Sequence, residues 1–145
     1  MEIRVNRLLG GGRRQLTSRL LPILLLLATP LSLPAEQHTL LSTSKTVHWG
    51  YYDAAQAPVL RVRSGDTVEI RTAMIDPPEA LERSGVAPGQ IDQASREIHR
   101  AIKDRGPGPH ILTGPVFVES AEPGDILEVH IESIRLGLPY AVNVF

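Results

Sequence analysis

The sequence predicts a mainly β, sandwich-like domain with one short α-helix, preceded by an N-terminal export signal. Two runs, at residues 67–72 and 126–132, alternate apolar and polar residues with the period of two that is typical of a half-buried strand. Glycine and proline, 12 of each in 145 residues, separate short β-prone runs throughout the chain. A helical period occurs clearly in one place, at residues 91–103. Together these observations indicate a strand-rich fold.

Residues 1–35 have the composition of an export signal. Five arginines and one glutamate stand ahead of an uncharged apolar run at residues 20–33. This run is shorter than the about 20 residues needed to cross a bilayer, and Pro22 and Pro30 interrupt it. Cleavage after Ala35 would release a domain of residues 36–145 into the periplasm or the medium, with no stable membrane anchor. Two alternatives stay open: a twin-arginine signal at Arg13 and Arg14, and an anchor that is never cleaved.

The predicted mature domain is acidic and contains no cysteine. It has 10 Lys and Arg residues against 15 Asp and Glu residues, a net charge of −5. Nucleic acid is therefore not expected as a partner, because an acidic domain is not expected to present a basic patch that neutralises phosphates. The absence of cysteine excludes disulfides, thiolate metal sites and thiol nucleophiles. About 110 residues can still form one hydrophobic core.

In chain order, strands are expected at residues 38–43, 47–51, 59–62, 67–72 and 126–132. In the last of these, Leu127, Val129 and Ile131 are predicted to face the core, while the alternate residues, including His130, face solvent. A loop at residues 76–89 leads into the predicted helix at 91–103, which Gly106 and Pro107 end. His99, on that helix, is predicted to be an ordinary solvent-exposed residue.

Two segments resemble each other, each with Gly-Asp before an alternating strand. Gly65 and Gly124 stand where a tight turn needs positive φ, and Asp66 and Asp125 can accept hydrogen bonds from turn amides. The repetition predicts two similar hairpins. The two aspartates could also be catalytic carboxylates, but the turn function is favoured.

The segment GPGPHILTGPVFVESAEPGD, at residues 106–125, is the richest in information. Six glycines and prolines in its first ten residues stiffen the backbone, which is typical of a loop that presents a functional side chain. His110 is the residue presented, with Thr113 and Glu119 nearby in sequence. Imidazole can bind a metal or carry a proton near neutral pH. The alternative is an inert histidine at the end of a strand.

This segment and the upstream HTLLSTSKTVHWGYYDAAQAPVLRVRSGDTVEI together resemble the acetamidase/formamidase family of amide hydrolases. The similarity covers most of residues 38–145, and its second marker is the turn His48-Trp49-Gly50. We expect Trp49 to be a core residue rather than a wall of the substrate site. The alignment is poorest in the loop at residues 76–89.

The resemblance implies a β-rich fold, hydrolysis of short linear amides such as formamide or acetamide to a carboxylate and ammonia, and a divalent metal, with zinc expected. A metal-activated water is a workable nucleophile for an amide in a chain without cysteine. His48 and His110 are the expected first metal ligands, and Asp76 is the candidate carboxylate ligand. Glu119 is the candidate general base, or a residue that fixes a ligand.

Members of this family are usually longer than this chain, which ends inside a predicted strand at Phe145. We therefore expect the N-terminal part of such an enzyme, with an incomplete fold and an activity that truncation could abolish. Exposed strand edges would favour pairing with a second chain, so a homo-oligomer is also expected.

Two other classes of function stay open. The strand-turn-strand pattern and the export signal are also similar to cupredoxin-like domains, although a blue-copper site needs cysteine and would be impossible here. That interpretation predicts a non-catalytic exported binding module. The third interpretation is a β-sandwich that remains from a decayed enzyme.

Overall fold

The computed structural model describes residues 1–8 and 34–143, and within them the fold is mainly β, as predicted. There are two α-helices rather than one, and a short 3-10 helix at Pro88–Gln90. The strands are β1 (Glu2–Leu8), β2 (Gln37–Leu41), β3 (Val47–Trp49), β4 (Leu60–Val62), β5 (Thr67–Arg71), β6 (Ile111–Thr113), β7 (Val116–Val118) and β8 (Ile126–Ser133). The helices are α1 (Pro78–Arg83) and α2 (Gln93–Ala101).

The strands form one sheet of four and two separate pairs. The large sheet has the order β2-β5-β1-β8, in which β2 is parallel to β5 and β1 is antiparallel to both β5 and β8. β3 pairs with β6 antiparallel, and β4 pairs with β7 parallel. Neither β6 nor β7 was predicted, since strands of three residues are too short to show a period.

Two hydrophobic cores hold these layers together. The first joins the large sheet to the β4–β7 pair through the buried residues Val5, Leu40, Val62, Val68 and Val118. The second packs β3 against α2 through Val47, Trp49 and Ile98. Trp49 is 7% exposed, which confirms that it is a core residue.

The two Gly-Asp turns have the predicted geometry. Gly65 and Gly124 have φ of 93° and 100°. The Asp66 carboxylate accepts hydrogen bonds from the backbone N–H groups of Glu36 and Arg63, and Asp125 accepts one from Glu122. The hairpin prediction is wrong, because the strands on either side of each turn belong to different sheets. Each turn therefore forms a corner between layers, and β4 and β7 pair with each other.

The predicted burial of β8 is also wrong. Leu127, Val129 and Ile131 are 51%, 54% and 61% exposed. β8 lies at the edge of the four-stranded sheet, and its apolar side chains have no covering layer among the described residues. Alternation identified the strand but not whether another layer covers it.

The loop predicted at residues 76–89 contains α1. Pro78 occupies the first turn of this helix, Glu79 is near its N-terminus and Arg83 lies in its last turn, an arrangement that suits the helix dipole. α1 is short, and Leu81, 1% exposed, anchors it. The two prolines that suggested a loop in fact start a helix.

The segment predicted to be an export signal contributes a strand. β1 lies between β5 and β8, and Val5 is part of the first core. Arg4 and Arg7 form ion pairs with Glu132 and Asp125 at 2.6 and 2.5 Å. The apolar run at residues 20–33, Arg13 and Arg14 lie outside the described residues. Within the described ranges, no helix has the length and hydrophobicity needed to cross a membrane.

Candidate functional site

Two of the four predicted site residues line the same cavity. This cavity, of about 1000 Å³, lies between the segment after β5, the start of β6 and the segment after β8. Asp76 and His110 both line it, although they are far apart in sequence. Most of the other lining side chains are apolar, as is usual in ligand pockets, and the cavity is large for formamide or acetamide.

His110 is positioned by close packing between its own loop and the His48-Trp49-Gly50 turn. Gly106 N–H donates to the Trp49 carbonyl at 2.8 Å, and Gly50 N–H donates to the His110 carbonyl at 2.9 Å. The Trp49 indole N–H donates to the Pro109 carbonyl at 3.0 Å. The two segments that carry the family resemblance thus form one hydrogen-bonded unit.

Glycine is required on both sides of this unit. Gly50 has φ of 74°, and a Cβ there would lie 2.4 Å from the Gly108 carbonyl oxygen. A Cβ on Gly106 would lie 2.7 Å from the Gly50 carbonyl oxygen. The two backbones can approach this closely only because neither carries a side chain.

His48 and His110 lie in the two segments that this unit joins. His48 lies opposite Leu112 in the β3–β6 pair, and His110 precedes β6, where its carbonyl accepts the hydrogen bond from the Gly50 N–H. His48 is half-buried and does not line the cavity.

Glu119, the predicted base, is held elsewhere. Its carboxylate accepts hydrogen bonds from Arg61 at 2.6 and 3.3 Å, and the Arg61 guanidinium lies 4.0 Å from the centroid of the Phe117 ring. The hydrogen bond from Arg61 lowers the pKa of Glu119, which makes it a weaker base. Glu119 does not line the cavity of Asp76 and His110. The structure therefore does not bring Glu119 to the other predicted residues.

A complete metal site is not formed by the described part of the chain. No group of three or more His, Asp or Glu side chains there is arranged to hold a metal ion. Zinc sites in proteins generally use three or four protein ligands. Of the predicted ligands, Asp76 and His110 line one cavity and could supply two of these.

Two polar groups near the site were missed by sequence reasoning. Tyr140 lines the cavity, and its hydroxyl is buried without a hydrogen-bond partner among the described residues. No pattern in the sequence marks it. His99 was expected to be exposed, but its ring packs edge-on against Trp49 with the centroids 4.8 Å apart. Burial lowers the pKa of His99, although contact with the Met74 backbone opposes this effect.

The remaining two histidines lie away from the cavity, and His130 faces solvent as predicted. His130 is exposed on β8 and lies 3.0 Å from the Glu128 carboxylate. His38 lies 3.2 Å from the buried carboxylate of Asp66, in the first Gly-Asp turn. Neither residue lines the cavity.

Comparison of the chain with protein-family models, with curated proteins and with solved structures found no match.

Proposed function

We propose that this chain is the N-terminal part of an amide hydrolase of the acetamidase/formamidase type, and that the cavity of Asp76 and His110 is its substrate site. The observation that carries the proposal is the cavity shared by Asp76 and His110, because the segments of the family resemblance position His110. The resemblance and the cavity support each other independently.

The side chains of the cavity suit an uncharged amide. A carboxylate such as Asp76 can accept a hydrogen bond from an amide N–H, and a phenol such as Tyr140 can donate one to a carbonyl oxygen. An imidazole can activate water near neutral pH, either as a proton acceptor or as a metal ligand, and His110 is proposed to activate the attacking water. The volume of the cavity also admits amides with longer chains than acetamide.

Ammonia release by the purified full chain is the direct test. Formamide, acetamide and butyramide should each be assayed, and at least one should be hydrolysed. We expect His110→Gln to lower the rate by about 100-fold or more, the typical contribution of a general base. The matched control is His130→Gln, which removes a histidine that is exposed and outside the cavity. Equal rates in the two variants would exclude this site, and no turnover by a folded protein would exclude the function.

A bound divalent metal, with zinc expected, is proposed only because the family resemblance implies one. Metal analysis of the purified protein should find about one divalent ion per chain, and His48→Ala and Asp76→Ala should each lower that content. Unchanged metal content in both variants would mean that any bound metal has other ligands.

Export to the periplasm or the medium is proposed from the N-terminal composition. Mass spectrometry of the exported fraction should find a chain that begins at Glu36. A chain retaining Met1 in that fraction would contradict cleavage.

A non-catalytic binding module is the second candidate, favoured by the largely apolar lining of the cavity. It predicts binding of a small ligand, seen by calorimetry with butyramide, without release of ammonia.

A further inference from the structure

A second cavity, of about 460 Å³, lies between α1 and the C-terminal half of α2. Three arginines and one lysine line it together with His99, against the single carboxylate of Glu79. The cations are Arg96, Arg100, Lys103 and Arg105. No residue lines both this cavity and that of Asp76 and His110. The concentration of positive charge contrasts with the near-neutral chain, whose net charge is −1.

Two of these cations are held in place by the fold. Arg96 donates to the Glu82 carboxylate at 2.8 Å and to the Pro88 carbonyl at 3.0 Å. Arg105 donates to the carbonyls of His99 and Ile102, which caps the end of α2. A guanidinium has five N–H groups, so both arginines keep donors for another partner.

The other two cations are not held by such hydrogen bonds. Arg100 and Lys103 are exposed, and neither has a hydrogen bond or ion pair within the described ranges. The helix dipole favours a cation at a helix C-terminus, which accounts for Arg100 taken singly. It does not account for four cations from α2 and the following segment around one concave surface. Mutual repulsion of these cations would be relieved by an anion.

His99 adds an independent observation. It lines the cavity, and its Nε2 is buried with no hydrogen-bond partner among the residues described. A buried polar nitrogen without a partner is costly, so such atoms in folded proteins usually meet a ligand or water. An anion in the cavity would favour the protonated ring, in which this nitrogen is a donor, and so oppose the effect of burial on the pKa of His99.

We infer that this cavity binds a small oxyanion, a carboxylate or inorganic phosphate, through Arg100, Lys103 and the free N–H groups of Arg96 and Arg105. The ring of His99 lines the cavity beside these cations. The inference does not rest on the proposed amidase function, because the two cavities have different linings.

Calorimetric titration of the full chain tests the inference. Sodium phosphate and sodium acetate are titrated separately at constant ionic strength, so that non-specific screening is the same in both. We expect saturable binding of one ion per chain for at least one of them. The ion with the higher affinity shows whether the site prefers a phosphate or a carboxylate. No saturable binding of either would overturn the inference.

Matched double variants locate the site. Arg100→Gln/Lys103→Gln should weaken binding by at least tenfold. Arg83→Gln/Lys45→Gln removes the same charge from exposed positions outside the cavity and should leave the affinity within about twofold. Equal weakening in both would mean that net charge alone attracts the anion. In NMR spectra, the anion should shift the His99 ring signals and leave those of His130 in place.

Discussion

At the scale of single residues, Gly50 is a position where the backbone leaves no room for a side chain. Replacement by alanine would place a Cβ 2.4 Å from a backbone oxygen at φ of 74°. We expect Gly50→Ala to lower the free energy of unfolding by at least about 2 kcal/mol, since left-handed strain alone costs about 1–3 kcal/mol. The measurement is urea denaturation. Gly89→Ala is the control, because a Cβ there meets nothing within 4 Å.

Asp66 should make stability depend on acid pH. Burial raises its pKa, but hydrogen bonds from the backbone of Glu36 and Arg63, together with His38, outweigh this effect, so that its pKa lies below the ordinary value of 3.8. A carboxyl with a depressed pKa stabilises the fold above its unfolded pKa, and this contribution is lost as pH falls through the folded pKa.

We therefore expect the free energy of unfolding to fall as pH is lowered below about 4. Asp66→Asn should be less stable than the natural chain at pH 7 by about 1–3 kcal/mol, because an amide leaves turn donors unsatisfied. It should also lose less stability between pH 5 and pH 3. Parallel pH profiles of the two proteins would contradict this assignment.

Residue roles that depend on neighbours in sequence were predictable, and those that depend on distant partners were not. The Gly-Asp turns follow from local chemistry, so Asp66 and Asp125 were interpreted correctly. The pairing of Glu119 with Arg61 joins two strands that no local signal connects. For the same reason His99 was expected in solvent, although α2 places it against Trp49.

At the scale of elements, β5 and β8 have the same alternating pattern but different surroundings. Val68, on β5, is 0% exposed, whereas Val129, on β8, is 54% exposed. We expect Val68→Ala to cost about 2–3 kcal/mol and Val129→Ala less than about 1 kcal/mol. Chemical denaturation of both variants measures the difference. Equal costs would mean that the apolar face of β8 is covered in the folded protein.

Element boundaries followed the sequence where the periodic run was long. α2 begins and ends two residues inside its predicted limits, and β5 differs from its prediction by one residue. β1 was missed because its arginines and hydrophobic residues also suit an export signal. Composition cannot separate these two interpretations, since both need the same residue types.

At the scale of the whole molecule, the mainly β class was predictable, but the strand order was not. β1 lies between β5 and β8, so pairing is set by contacts between the two ends of the chain. Local patterns contain no information on such partners. The predicted cleavage after Ala35 would remove this strand from the sheet.

A chain of residues 36–145 should therefore undergo local opening more readily than the full chain. We expect faster amide hydrogen exchange in β5 and β8, which lose the hydrogen bonds of β1. The β3–β6 pair, which does not contact β1 through hydrogen bonds, is the internal control. Equal protection of β8 in both chains would mean that β1 is dispensable or that another segment replaces it.

The position of β1 has a consequence for the order in which the molecule is completed. Glu2 pairs with Ser133 and Leu8 with Ile126, so the pairing of β1 with β8 waits until residue 133 has been made. Pairings across such a long separation form slowly, because the entropy of a large loop is lost before any contact is gained. Until then the main sheet lacks this edge strand, although β1 and β5 can already pair. Machinery that threads unfolded chains across a membrane would meet this polypeptide before that edge of the sheet had formed.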